Sequence, residues 1–156
     1  MKVSWFSLYD LVLALWVGGI AFFTFIITPL IFKSFGRDSA GEIVGKLFPG
    51  YFLYNLALSA VTLVLFFLVA GGQTGPAYSV SLFLVTTALL INAYILFTLY
   101  PEVRRVKEEV ASFEKDAADS PGRRKFSRLH AVSAVLNLVL LAEGIALLVI
   151  GPGLRK

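Results

Sequence analysis

Four apolar runs dominate this chain, near residues 8–32, 48–70, 78–100 and 126–150. Each is long enough to cross a bilayer, which takes about 20 residues. The fold expected is therefore all-α: an integral membrane four-helix bundle forming one membrane domain over residues 1–156. Composition agrees, with 58% hydrophobic residues and a mean hydropathy of +0.82, against about 45–50% apolar residues in a soluble domain. The first run is too long for a cleaved signal, and no small-residue cleavage pattern follows it.

Four spans place both termini on one side. Lys2, Arg155 and Lys156 are the only basic residues on that side, because the loop GGQTGPA has none. The other eleven lie in the two long loops, 33–47 and 101–125, and at Arg128 at the head of the fourth run. Such a split is a strong positive-inside signal. It predicts a multi-pass protein of the cell membrane with both termini outside and the long loops in the cytoplasm. It also accounts for the +4 net charge without nucleic acid. Arg123, Arg124, Lys125 and Arg128 read as topology determinants that touch anionic headgroups.

The loops carry local signals. Ser39 with Glu42 fits a capping box, and the segment up to Phe48 reads as a short interfacial helix that ends at Pro49-Gly50. PEVRRVKEEVASFEK, residues 101–115, reads as a charged helix leaving the third run, with Pro101 in its first turn. Ser120-Pro121 reads as the cap and first residue of the helix that becomes the fourth. The two together predict a cytoplasmic helical hairpin that extends spans three and four. No convincing internal repeat is visible.

Polar residues inside a span mark the bundle interior. Helical periodicity gives one small or polar stripe per span: Asp10, Ala14, Val17, Ala21, Thr24 and Thr28; Tyr51, Asn55, Ser59 and Thr62; Ser81, Val85, Ala88 and Asn92; His130, Ser133, Asn137, Leu141 and Gly144. Counted at 1.5 Å per residue, Thr24, Asn55, Asn92 and Asn137 all lie roughly 10–14 Å from the basic end. With Ser133 and His130 they form the candidate polar pocket. Two readings are open: amides bonded across helices as structural glue, or a hydrated site for a polar ligand. Gly18 and Gly19 suit close helix packing, and Ala14 with Gly18 makes a small-xxx-small pattern.

Two acids, Asp10 and Glu143, lie toward the other end. Glu143 is roughly 10 Å from that surface, about 120° around the helix from Asn137, at the depth of Trp16, Thr62, Thr86 and Thr87. It is either a neutral hydrogen-bonded acid or a titrating one that faces a neighbour. The chain has no cysteine, one histidine and one methionine, Met1. There is no nucleophile–base pair and no pair of carboxylates at one level. An enzyme or haem protein is therefore the last-ranked reading, and no metal or cofactor is expected.

With these residues in view, the chain resembles the transmembrane protein 205 family. The likeness rests on WVGGIAFFTF with Pro29 and Phe32, on KLFPGYF, on Asn92 with YPEVRRV, and on RRKFSRLHAVSAVLNL. It implies a four-helix membrane protein in which the His130-Ser133-Asn137 face and the span-one glycines are family features, and it supplies no catalytic mechanism. Soft-metal handling, where that analogy suggests it, meets a chain without cysteine or internal methionine. The function expected is small-solute or ion transport through the polar site, in a homo-oligomer. The alternative is a non-transporting structural or lipid- and partner-binding protein.

Overall fold

The computed structural model describes residues 4–110, 112–113, 120–151 and 153. Lys2, Lys115, Arg155 and Lys156 of the charge split, and part of the expected 101–115 helix, lie outside the described residues. Every element among those described is helical: α1 (Trp5–Phe22), a π-helical turn (Phe23–Ile27), α2 (Thr28–Ser34), α3 (Arg37–Ala70), α4 (Pro76–Tyr94), a second π-helical turn (Ile95–Leu99), α5 (Tyr100–Glu108) and α6 (Pro121–Ile150). Joined end to end they make four rods, Trp5–Ser34, Arg37–Ala70, Pro76–Glu108 and Pro121–Ile150, each apolar enough to cross a membrane. At 30–34 residues and 1.5 Å rise they exceed a hydrocarbon core of about 30 Å, so their basic ends stand clear of it. The rods pack in ring order, α1 on α3, α3 on α4, α4 on α6, and α6 back on α1. This is the four-helix membrane bundle expected from the sequence.

The two π-turns have one cause. Pro29 and Pro101 lack an N–H, so the carbonyls of Phe25 and Phe97 lose their donor and meet a proline ring. The chain widens instead. Thr28 N–H bonds Phe23 O, and Tyr100 N–H bonds Ile95 O, each five residues back. The rods continue through the prolines rather than stop. On the other side of the bundle, Gln73 N–H bonds Ala70 O at 3.0 Å and the tight turn runs through Gly72 at φ 84°, a left-handed angle that favours glycine.

Three expectations need correction. The segment before Pro49 is no separate interfacial helix, because α3 runs unbroken from Arg37 and carries Pro49 inside it. The helix begins two residues before Ser39, with Gly36 at its cap position and no side-chain cap bond, so the Ser39–Glu42 box does not form. The carbonyl that Pro49 leaves without an amide donor is that of Gly45, and the Tyr100 hydroxyl points at it from 3.5 Å. Helix α5 ends at Glu108, well short of residue 115. Past the end of α5, Asp38 accepts hydrogen bonds from Phe113 N–H at 2.7 Å and Ser112 hydroxyl at 2.6 Å, which ties that stretch to the start of α3.

Span one is also rotated from the expected face. Its buried residues are Tyr9, Val12, Leu13, Trp16 and Ile20, while Ala14 and Gly18 are exposed and Asp10, Val17, Ala21, Thr24 and Thr28 are half-buried. Large side chains won the centre because a four-helix core has volume to fill at close packing. Trp16 and Tyr9 supply that volume; alanine and glycine do not. The stripes of spans two and three are buried as read: Asn55, Ser59 and Thr62, then Ser81, Val85, Ala88 and Asn92.

Candidate functional site

The residues counted to one level fall into two groups. The first is a hydrogen-bonded chain across three helices. Tyr51 hydroxyl on α3 donates to Asn137 Oδ1 on α6 at 2.5 Å, and Asn137 Nδ2 donates to Thr24 Oγ1 at 2.8 Å. Thr24 sits in the first π-turn, so the widened turn carries the acceptor. The Tyr51 ring stacks on Phe23, centroids 4.2 Å apart at 16°, which fixes the phenol. Periodicity puts Tyr51 on the α3 stripe, and the structure makes it the hub of the chain. Its spacing of one turn from Asn55 was the available signal.

The second is two separate buried amides, Asn55 on α3 and Asn92 on α4. Asn55 and Asn92 are 1% and 2% exposed. Asn55 Nδ2 bonds back to Tyr51 O at 2.9 Å. Asn55 Oδ1 and Asn92 Nδ2 have no protein partner. One is an acceptor and the other a donor.

Toward the other end, Glu143 is buried at 9% exposure against α4. Its Oε1 lies 2.7 Å from Thr87 Oγ1, and its Oε2 is buried without a partner. The Thr87 hydroxyl has three acceptors around it, since Phe83 O and Leu84 O lie at 2.9 and 3.0 Å, yet it carries one proton. The helices close tightly here. A Cβ on Gly144 would come within 2.6 Å of Val17 Cγ2 on α1. Tyr9 Oη, Trp16 Nε1, Thr62 Oγ1 and Ser81 Oγ, on α1, α3 and α4, are likewise buried without partners.

The remaining candidates are elsewhere. Gly19 lies beneath the Tyr54 ring, whose hydroxyl donates to Leu15 O at 2.7 Å; Gly18 meets nothing within 4 Å. Ser133 is half-buried. His130 does not join the amides: it stacks on Phe126 at 5.8 Å and faces a cavity at the basic end. In the basic cluster, Lys125 pairs with Glu102 at 2.9 Å, the Arg123 guanidinium lies 5.9 Å over Phe113, and Arg124 and Arg128 are exposed. Among the described residues no three of His, Cys, Asp or Glu converge to hold a metal.

Comparison with known proteins adds family but no activity. An uncharacterized protein of Aquifex aeolicus (strain VF5) is 28% identical over 129 residues, 83% of each chain. No solved structure matches. Residues 11–112 match a domain of unknown function, DUF4149, a stretch that takes in most of the first rod, all of the second and third and the amides Asn55 and Asn92, and the chain belongs to that family.

Proposed function

We propose that this integral membrane protein conducts protons or small cations along the polar seam of its bundle. One observation carries the reading: among the described residues, seven buried side-chain atoms, from Tyr9 and Ser81 near one end to Asn55 and Asn92 near the other, have no protein partner. Each such group costs about 1–3 kcal/mol if nothing solvates it. Seven together rival the whole stability of a domain, about 5–15 kcal/mol. Water inside the seam removes that cost, and a wet polar line through hydrocarbon is a path. The residues are 0–2% exposed apart from Glu143 at 9%, so the path is narrow and suits protons or water-sized ions better than organic solutes. Glu143 is the group that exchanges a proton, and Thr87 orients it.

The basic end faces the cytoplasm in this reading, by the split of basic residues, and the protein works as a homo-oligomer of the cell membrane. The likeness to the transmembrane protein 205 family fits the architecture and adds no substrate. A structural role is the second reading, favoured by the Thr24–Asn137–Tyr51 chain, whose bonds are made.

Proteoliposomes with a trapped pH dye and an imposed potassium gradient separate the two. Flux above protein-free vesicles, reduced about tenfold by Glu143→Gln and by Asn92→Leu, supports conduction. Flux equal to protein-free vesicles, for folded wild-type protein and across the alkali cations, refutes it.

A further inference from the structure

We propose that the cavity at the basic end is a binding site for an anionic amphiphile, a phosphate group carried on an acyl chain. The cavity measures about 630 Å³ and lies among α2, the start of α3, α5 and the first turns of α6. That is within the range of roughly 300–1,000 Å³ typical of ligand sites.

Its walls are of two kinds. Phe32, Phe48, Pro49, Val103 and Phe126 make an apolar floor. Among the described residues, five basic side chains stand above it against two acidic ones. Both acids are already engaged, Glu42 with Lys46 at 2.7 Å and Glu108 with Arg104 at 3.1 Å. That leaves Arg37 on α3 and Lys107 on α5 as lining cations that neither of these acids neutralises through an ion pair.

Lys107 is placed by a built cradle. Its Nζ donates to Gly41 O at 2.5 Å, and a Cβ on Gly45 would come within 3.2 Å of that nitrogen. Two glycines one turn apart on α3 thus let the ammonium lie against the helix, with two further protons left to donate. Burial pushes the Lys107 pKa down, a cost of holding charge there that an anion in the cavity offsets.

Depth supports the same ligand. Thr28, Phe48, Tyr100 and Phe126 line the cavity and sit where the four apolar runs end at their basic loops. The floor is therefore at the edge of the hydrocarbon and the cations are at headgroup level. A free anion has no use for the aromatic floor, and a neutral lipid has no use for the Arg37 and Lys107 cations. The proposal is independent of conduction along the seam.

The test titrates the purified full-length chain in a neutral detergent. The probes are dihexanoyl phosphatidylglycerol, dihexanoyl phosphatidylcholine, glycerol phosphate and inorganic phosphate, followed by calorimetry and native mass spectrometry. Phosphatidylglycerol is expected to bind at least about tenfold tighter than the other three. Arg37→Ala with Lys107→Ala should weaken it by about tenfold or more, while Arg124→Ala with Arg128→Ala, which removes the same charge outside the cavity, should change it less than about twofold. Thr28→Phe fills the cavity without touching a charge and should also weaken binding about tenfold. Inorganic phosphate binding as tightly as the lipid overturns the proposal. So does an equal loss in the two charge-removal variants, or undiminished binding in a folded Thr28→Phe protein.

Discussion

Tyr51→Phe tests whether the hydrogen-bonded chain holds α1, α3 and α6 together. The substitution keeps the ring that stacks on Phe23 at 4.2 Å. It removes only the hydroxyl that donates to Asn137 Oδ1 at 2.5 Å. Stranding a buried acceptor costs about 1–3 kcal/mol. Polar bonds between membrane helices average about 0.6 kcal/mol and reach about 1.7. Asn137 is only half-buried, which favours the lower part of the first range, while the short distance favours the upper part of the second. The expected loss is about 1 kcal/mol. Asn137→Leu breaks both bonds and leaves Tyr51 and Thr24 facing leucine, for about 2 kcal/mol. The double variant should then cost no more than Asn137→Leu alone, a coupling of about 1 kcal/mol. Reversible unfolding in mixed micelles, titrated with sodium dodecyl sulfate and followed by far-ultraviolet circular dichroism, measures all three. A neutral Tyr51→Phe with additive double-variant losses would refute the reasoning.

In the same assay, Gly144→Ala should cost about 1–3 kcal/mol, because its Cβ would meet Val17 Cγ2 at 2.6 Å and force α1 from α6. Gly18→Ala, with nothing within 4 Å, should be neutral or stabilise by up to about 1 kcal/mol; equal losses would contradict the packing. Glu102 supplies a pH prediction. Hydrogen bonds from Arg105 and Lys125 hold its carboxyl below the ordinary carboxylate range, so its contribution to the α5–α6 clasp is complete above that range and is lost as pH falls through the lowered value. Glu102→Gln should flatten the acid side of the α5 amide-exchange profile, and an unaltered profile would assign that dependence elsewhere.

Much of the bundle was legible because hydrocarbon allows few solutions: long apolar runs must be helices, and an asparagine in one must face inward. Asn55 and Asn92 were found that way. Span one misled for a related reason. It has no deeply placed amide to mark its inner face, and its small residues lie outside while Trp16 and Tyr9 fill the core. The junction at Pro49 was misread because proline's local preference was weighed without Tyr100, a residue 51 positions along the chain that stands at the freed carbonyl. The cavity was beyond sequence reading altogether. Only the fold shows that Lys107 lies against Gly41 and Gly45.

The two π-turns also bear on how this chain can change length. A π-turn is an α-helix holding one residue more than its turn needs. Deleting a single residue elsewhere in a span swings everything beyond it by about 100° and carries one side of the helix out of register with its neighbours. Deleting Ile26 from the first wide turn, or Thr98 from the second, removes the surplus residue, so both flanking halves still face their partners, while Pro29 or Pro101 stays in the helix at the cost of one backbone bond. These two places, each three residues before a proline, Pro29 and Pro101, are where the bundle can absorb a one-codon loss, and where insertions and deletions between relatives should collect.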